Sequence, residues 1–177
     1  STNQWQVKAN MPTARNGAKL VWFKNRIWAI AGYATPANST VESYDPQTDT
    51  WRTEKHLPRA RNWPVAWVYL ERIYVGGSQY GSHIDYYESA EDSWIAKGNL
   101  PENKYAADAV VLNDKVYVIA GETASGVYSN KVFAADLNAS VEGIYDLYRK
   151  DGDAPVGTPV VQSEYADGSV TGSKMAD

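Results

Sequence analysis

Residues 57–94 read LPRARNWPVAWVYLERIYVGGSQYGSHIDYYESAEDSW, and the pattern of this stretch occurs three times in the chain of 177 residues. Each copy begins with Met-Pro or Leu-Pro, at residues 11, 57 and 100, so that the starts are 46 and 43 residues apart. Trp5, Trp51 and Trp94 keep the same two intervals. A fixed period of about 20 to 50 residues is typical of repeat architectures. The chain therefore consists mainly of three copies of one structural unit.

Each copy carries the pattern of several short strands. In the first copy, two apolar runs at residues 17–23 and 27–32 flank the polar sequence Lys24-Asn25-Arg26. Apolar runs that contain β-branched and aromatic residues around a polar turn predict a β-hairpin. Third strands are expected near residues 40–45, 83–88 and 130–136, and fourth strands at 50–52, 93–95 and 143–148. Because no segment has helical periodicity, the predicted fold class is all-β.

The end of the second strand and the aromatic residues that follow it resemble the kelch repeat. The second copy has Gly76-Gly77, Tyr87 and Trp94, and the first has Ala31-Gly32, Tyr44 and Trp51. The third copy keeps Ala120-Gly121, but Ala135-Asp136 replaces Tyr-Asp and no Trp follows. The resemblance implies a kelch-type β-propeller of four-stranded blades, in which the Tyr and Trp rings pack between neighbouring sheets.

The repeats divide the chain into blades and flanking segments. We expect blade 1 at residues 9–54, blade 2 at 55–97, a degenerate blade 3 at 98–150, a stray outer strand of a preceding blade at 3–8, and a Gly/Pro/Asp-rich linker with the start of a short-repeat tail at 151–177. Residues 166–177 resemble the short repeats of long bacterial and phage surface or fibre proteins. The resemblance favours an extracellular or cell-surface location in a bacterium, with the cytoplasm as the alternative.

Three blades are fewer than a propeller ring needs, since closed rings have about four to eight. We therefore expect other blades to complete the ring. They could come from a second copy of the chain, from a different polypeptide or from missing sequence of a larger protein. Residues 4–8 look like the fourth strand of a preceding blade, and we expect them to close a blade contributed by a partner.

Composition excludes several classes of function. The chain has no cysteine, which removes disulfides, thiolate metal sites and cysteine nucleophiles. Its formal net charge is −4 and it has no run of Lys or Arg, so nucleic acid is not an expected partner. No apolar stretch approaches the ~20 residues that span a bilayer. His56 and His83 lack partners at metal-ligand spacing, so we expect neither a metal site, nor a cofactor, nor catalytic residues.

One set of residues has a pattern typical of a binding site. The third position after each repeat-opening Pro is a cation: Arg15, Arg61 or Lys104. Each cation lies just before the first strand of its blade, and the resemblance to kelch domains implies that such residues often contact ligands. We expect a basic ring at the propeller mouth, flanked by Asn16, Asn62, Trp63 and Tyr105. The alternative is that these cations cap strand ends or neutralise nearby Asp and Glu.

Two functions remain open at this point. The first is a non-catalytic module of a larger, extracellular assembly that binds protein or glycan or serves as a structural part. The second is part of a kelch-propeller enzyme that acts on an anionic sugar, as a sialic-acid mutarotase does. The residues expected at the mouth are cations and amides without paired carboxylates, which favours binding over catalysis.

Overall fold

The structure is a computed structural model, and it describes residues 4–34 and 38–138. The described residues form thirteen strands and no helix. The strands make three antiparallel sheets, which follow one another along the chain, and one additional hairpin. The predicted all-β fold class is confirmed.

Blades 1 and 2 are four-stranded meanders in which each strand pairs with the next one along the chain. Blade 1 consists of β1 (Lys19–Phe23), β2 (Arg26–Ile30), β3 (Val41–Asp45) and β4 (Thr50–Thr53). Blade 2 consists of β5 (Val65–Tyr69), β6 (Arg72–Ser78), β7 (Gly81–Glu88) and β8 (Ser93–Asn99). The last strand of blade 2 thus continues two residues past the predicted boundary at 97.

Blade 3 differs from the other two. Its described sheet has the order β13-β10-β9, formed by β9 (Asp108–Leu112), β10 (Lys115–Ile119) and β13 (Val132–Asp136). The connection between β10 and β13 carries an extra hairpin, β11 (Glu122–Ala124) and β12 (Val127–Tyr128), which the sequence did not predict. The fourth strand predicted at 143–148 and the tail predicted at 151–177 lie outside the described residues.

The same tight turn joins the first two strands of every blade. Its two central residues have positive φ in each case: Lys24 and Asn25, Leu70 and Glu71, and Asn113 and Asp114. Two consecutive residues in the left-handed region match the type I′ turn, whose twist suits a hairpin. These turns all lie at one end of the sheets. The first strands begin at the opposite end, which we call the upper face.

Two apolar cores lie between the blades. Between blades 1 and 2, Phe23 and Trp28 pack against Ile73, Val75 and Tyr87. Between blades 2 and 3, Trp67 and Tyr74 stack with an interplanar angle of 4° and pack against Val116 and Val118. Most of the buried apolar residues therefore lie between sheets that pack face to face. This agrees with strands whose apolar side chains alternate between the two faces of a sheet.

The repeated Tyr and Trp residues bond within their own blade and to the segment that leads into it. The hydroxyl of Tyr87 donates to Asp92 at 2.7 Å, and the Trp94 indole donates to the Lys55 carbonyl at 2.8 Å. In blade 1, Tyr44 and Trp51 make the equivalent bonds to Asp49 and the Ala9 carbonyl. These rings are therefore packing positions, as the repeat pattern implies.

The structure shifts the alignment of the glycines by one residue. Hairpin register makes Ala31, Gly77 and Ala120 equivalent, and all three have positive φ. The pair equivalent to Ala31-Gly32 is therefore Gly77-Ser78 rather than Gly76-Gly77. Sequence alone could not decide between the two glycines of blade 2.

Residues 4–8 precede blade 1 and belong to none of the described sheets. Trp5 and Val7 are almost fully exposed, at 102% and 95%. Pairing of this segment with a blade of a partner stays a prediction.

Candidate functional site

The upper face is built from two segments of each blade. One is the lead-in segment, which crosses from the preceding blade to the first strand. The other is the connection between the second and third strands. A short bridge holds the two together at Asn16–Tyr33 in blade 1 and at Tyr105–Glu122 in blade 3. The predicted site residues all lie on the lead-in segments.

Arg15 lies beneath the upper face rather than on it. Its side chain is 0% exposed and forms an ion pair with Glu42, whose side chain is 2% exposed. Its Nε donates to the Ala31 carbonyl at 2.7 Å, and its Nη2 donates to the Ala29 carbonyl at 3.0 Å. Thr13 donates to the same Glu42 carboxylate at 2.7 Å. Arg15 thus fastens its lead-in segment to the ends of β2 and β3.

Arg61 has the equivalent place in blade 2. It pairs with Asp85, and the two side chains are 2% and 1% exposed. Its guanidinium also donates to the carbonyls of Gly77 at 3.1 Å and His83 at 2.6 Å. Burial lowers the pKa of Arg61 below its usual value, and the nearby Asp85 carboxylate opposes that shift. Arg59, which is partly exposed, approaches the other oxygen of Asp85 at 3.4 Å.

Lys104 holds the same position in blade 3 with different partners. Hairpin register places Phe133 where blades 1 and 2 have Glu42 and Asp85. The Lys104 ammonium lies 4.9 Å from the centre of the Phe133 ring and donates to the Ser129 hydroxyl at 2.7 Å. Its carboxylate partner comes instead from its own lead-in segment, where Glu102 lies 3.3 Å away.

The three predicted cations therefore already have partners inside the protein. The sequence suggested an exposed basic ring, but their side chains are 0%, 2% and 0% exposed. The observed contacts agree with the alternative expectation, in which these cations cap strand ends or neutralise nearby carboxylates. Ligand contact by Arg15, Arg61 and Lys104 stays a prediction.

A second layer of side chains lies above the cations. Repeat-equivalent positions give one pair in each blade: Asn16 with Tyr33, Asn62 with Gln79, and Tyr105 with Glu122. Asn62 donates to Gln79 at 3.3 Å, and the Tyr105 hydroxyl donates to Glu122 at 2.8 Å. The backbone positions are equivalent in the three blades, whereas the side chains at these positions differ. Rigid scaffolds often carry binding residues in this way.

Aromatic rings cross this surface from blade to blade. Tyr33 stacks on Trp63 at 4.8 Å between ring centres with an interplanar angle of 4°, and Trp63 lies 6.1 Å from Tyr105. Asn16 and Tyr33 are exposed and Trp63 is half-buried, whereas Asn62 and Tyr105 are buried. We call Tyr33, Trp63 and Tyr105 the aromatic platform. Tyr33 was missed by sequence reasoning, although its place directly after Gly32 marks it as an upper-face position.

Trp63 has an unusual backbone conformation for a large residue. Its φ is 47°, and the equivalent residues Gly17 and Ala106 also have positive φ. A bulky residue in the left-handed region costs energy and occurs most often at functional sites. Its ring lies directly over Gly17, because a Cβ added there would lie 1.9 Å from the Trp63 Cδ1 atom. Gly17 thus provides the space in which the ring lies.

Buried polar atoms accompany the platform. The Asn62 Oδ1 and Arg61 Nε atoms are buried and have no hydrogen-bond partner among the described residues. Burial and the bond to Glu122 raise the pKa of Tyr105 to about 12, so it remains a hydrogen-bond donor at neutral pH. Beside them, a cleft of about 240 Å³ is lined by Arg59, Ala60, Arg61, Ser78, Tyr80, Gly81 and His83. Among the described residues, the upper face therefore offers apolar rings, amides and the partly exposed side chain of Arg59.

The described ranges bring together no three His, Cys, Asp or Glu side chains that could hold a metal ion. Within the same ranges, no helix has the length and apolarity needed to cross a membrane.

Comparison with known proteins identifies kelch-repeat sequences as relatives of this chain. The family model described as Kelch motif matches residues 14–58. The chain is 32% identical over 126 residues to Kelch repeat and BTB domain-containing protein 8 of Homo sapiens, a match covering 68% of this chain and 20% of that protein. It is 27% identical over 159 residues to Kelch-like protein 35 of Mus musculus, covering 86% of this chain and 26% of that protein. This chain thus spans about a quarter or less of these relatives.

Among solved structures, YjhT is similar in fold. Its TM-score is 0.69 at 18% identity, and the match covers 77% of this chain and 53% of the YjhT chain. Together with the family match, this likeness confirms the fold expected from the repeats.

Proposed function

Because this chain is a kelch-repeat protein with a β-propeller fold, we propose that it is a non-catalytic binding module whose upper face holds a segment of a protein ligand. The observation that supports this proposal most is the aromatic platform. Tyr and Trp rings on a rigid frame are the side chains most often found to anchor protein ligands.

The electrostatics of the upper face favour binding over catalysis. General acid–base chemistry needs titratable groups within reach of a substrate. Here Glu42 is held by Arg15, Asp85 by Arg61, and Glu122 by Tyr105 and the amide of Gly126. These carboxylates are therefore committed to the structure of the blades.

A glycan is the alternative ligand, and an anionic sugar would be the natural one for the cleft beside Arg59. The Arg59 side chain is 44% exposed and Arg59 lines the cleft, where its guanidinium could pair with a carboxylate. Catalysis on such a sugar is the corresponding alternative function. From the resemblance of residues 166–177 to the short repeats of bacterial and phage surface proteins, we propose an extracellular or cell-surface location, with the cytoplasm as the alternative.

The proposal is tested by selecting ligands on the immobilised chain from a random peptide library and, separately, from a glycan array. We expect selected peptides to carry aromatic or proline residues that stack on the platform. The double variant Tyr33→Ala, Trp63→Ala should weaken their binding at least about tenfold, since truncating an anchoring ring costs more than about 1.4 kcal/mol.

The matched control is Leu70→Ala, which removes an exposed apolar side chain in a turn at the opposite end of blade 2. It should leave peptide binding unchanged. Selection of anionic glycans alone, with loss of binding in Arg59→Ala, would establish the alternative. Peptide binding that survives in the double variant would show that the upper face is not the site.

A further inference from the structure

The cleft of about 240 Å³ on blade 2 is lined mainly by residues that carry positive charge or donate hydrogen bonds. Two of its seven lining residues are arginines, one is His83, and none of these described residues is Asp or Glu. Arg59 and His83 are exposed, and so is Tyr80, at 78%. Tyr80 and Ser78 add hydroxyl groups to the lining. Such a lining suits an anionic group that accepts several hydrogen bonds.

Two positions of the repeat lie in the lining of this cleft, and the other blades fill them differently. The first is the residue directly after the repeat-opening Pro, which is Thr13, Arg59 or Glu102. The second, placed by hairpin register, is Thr40, His83 or Lys131. The two positions therefore hold uncharged residues in blade 1, an acid with a base in blade 3, and two basic residues in blade 2.

Blades 1 and 3 show what the alternatives do. In blade 3, Glu102 and Lys131 form an ion pair at 2.6 Å, and the Glu102 side chain is 24% exposed. In blade 1, the Thr13 hydroxyl donates to Glu42 at 2.7 Å and adds no charge to the buried ion pair. An anion that approaches the upper face would therefore meet an exposed carboxylate in blade 3 and hydroxyl groups in blade 1.

The carboxylate of blade 2 is buried and does not line the cleft. The Asp85 side chain is only 1% exposed, and it pairs with Arg61 and, at 3.4 Å, with Arg59. Two guanidinium groups and one carboxylate leave one positive charge at this place. Arg61 also lines the cleft, and its buried Nε atom has no hydrogen-bond partner within the described ranges. An anion in the cleft would balance this charge.

We propose that the cleft of blade 2 binds a phosphorylated residue of the protein ligand, next to the residue of that ligand that stacks on the aromatic platform. This inference rests on the proposed function. Arg59 precedes Trp63 by four residues on the same lead-in segment, a span of at most about 14 Å in an extended chain. The two ligand residues should therefore lie within about four residues of each other.

A phosphoryl group suits the cleft better than a carboxylate does. The lining residues come from three segments of blade 2: Arg59 from the lead-in segment, Ser78 from the end of β6 and His83 from β7. A phosphorylated side chain has three terminal oxygens and a charge of about −1.5 to −2 at neutral pH. It can accept from donors on several sides, whereas a carboxylate offers two oxygens in one plane and a single charge.

The cleft can be tested separately from the platform. The probe is N-acetyl-phosphoserine methylamide, whose binding is followed by its ³¹P resonance. Arg59→Thr with His83→Thr should weaken binding at least about tenfold, because the charge-assisted bonds are lost. These substitutions give blade 2 the residues that blade 1 has at both positions, where Thr13 donates to the buried carboxylate. The variant should therefore fold, which its circular dichroism spectrum checks.

The matched control is Lys55→Thr with His56→Thr. Both residues are exposed, lie on the same lead-in segment and are outside the lining of the cleft, and the change in formal charge is the same. This variant should bind the probe like the unchanged chain. Equal weakening by both variants would show general attraction to a positive surface and would overturn the proposal, as would absence of binding to the unchanged chain.

The spacing is tested with peptides that carry one Trp and, one to six residues from it, Ser, phosphoserine or Glu. Phosphoserine should raise affinity at least about tenfold over Ser, and most at spacings of up to about four residues. Glu peptides that bind as tightly as phosphoserine peptides would overturn the phosphoryl assignment.

The platform variant Tyr33→Ala, Trp63→Ala separates this proposal from the proposed function. It should weaken peptide binding and leave binding of the isolated phosphoserine probe unchanged. Peptides that need the platform but bind equally with Ser and phosphoserine would overturn the phosphoryl site alone. Peptides that need the cleft but not the platform would overturn the proposed function, while supporting the cleft as a phosphoryl site.

Discussion

Blades 2 and 3 place a cation at the same point of nearly the same backbone frame but hold it with different groups. In blade 2, Arg61 pairs with Asp85 across the sheet, and both side chains are almost completely buried. In blade 3, Lys104 lies over Phe133 and pairs with Glu102, which is 24% exposed. The comparison shows that both blades place a cationic hydrogen-bond donor beneath the lead-in segment, whereas the group that accepts from it differs between the blades.

The difference has an energetic consequence. A buried ion pair that loses one partner leaves an uncompensated charge, which is costly. The pair in blade 3 should lose less, because Glu102 is partly exposed and Lys104 keeps its contacts with Ser129 and Phe133. Removing the carboxylate partner of the cation should therefore destabilise the protein more in blade 2 than in blade 3. Substitutions can test this ranking directly.

The largest effect is expected from Asp85→Ala. It leaves the Arg61 guanidinium buried without its carboxylate, so the free energy of unfolding should fall by about 3–5 kcal/mol. Urea unfolding followed by tryptophan fluorescence measures the change. Replacing both partners, Arg61→Leu with Asp85→Leu, should restore much of the loss. A loss below about 1 kcal/mol for Asp85→Ala would show that the pair is not the main attachment of the lead-in segment.

A smaller effect is expected from Phe133→Leu in blade 3. It removes the ring beneath the Lys104 ammonium and part of the packing against blade 2. We expect a loss of about 1 kcal/mol, measured in the same unfolding assay. In a Lys104→Met background the cost of the substitution should shrink, because no cation remains over the ring. An unchanged cost would mean that Phe133 acts by packing alone.

Glu102→Gln should cost less than about 1 kcal/mol, since Glu102 is partly exposed and Lys104 keeps its contacts with Ser129 and Phe133. The loss should depend on pH. The bond from Lys131, together with Lys104, holds the pKa of Glu102 below its usual value. Its contribution is therefore present above the ordinary carboxyl range and is lost as the pH falls through the lowered pKa. The unfolding curves of Glu102→Gln and the unchanged chain should converge in acid, and a constant difference would contradict the assignment.

The smallest effect on stability at neutral pH is expected from Tyr105→Phe, which removes the hydrogen bond between Tyr105 and Glu122. The counterpart of this pair in blade 2 is Asn62–Gln79. The pKa of Tyr105 is raised to about 12 from 10.0. The stability linked to this shift is present below pH 10 and is lost as the pH rises toward 12. Tyrosinate absorbance near 295 nm should include a late-titrating group that Tyr105→Phe removes, whereas Asn62→Ala should leave the titration unchanged.

The repeat spacing predicted most of the strands, and the reason is local. Alternation of apolar residues, polar turns and the Tyr and Trp positions are all carried by neighbouring residues in the sequence. The extra hairpin of blade 3 was missed because Glu122–Tyr128 is short and has little apolar alternation. The Leu70-Glu71 turn has no typical turn residues, and its positive φ values follow from the strands that it joins.

The candidate site was predicted only in part. The positions of Arg15, Arg61 and Lys104 could be found from spacing, but their burial could not, because it depends on carboxylates 24 to 27 residues away in blades 1 and 2. Tyr33 was missed because its stacking on Trp63 joins two different blades. Trp63 was predicted to flank the mouth, whereas its place over Gly17 became visible only in the structure.

By itself, the sequence determined that this protein repeats a four-stranded unit and that three units are present, since both properties are written in short-range periodicity. Only the tertiary structure decided which side chains face solvent at the upper face and which faces of blades 1 and 3 are left uncovered by the other described residues. Those properties depend on contacts between sheets, and such contacts join residues that are far apart in the chain.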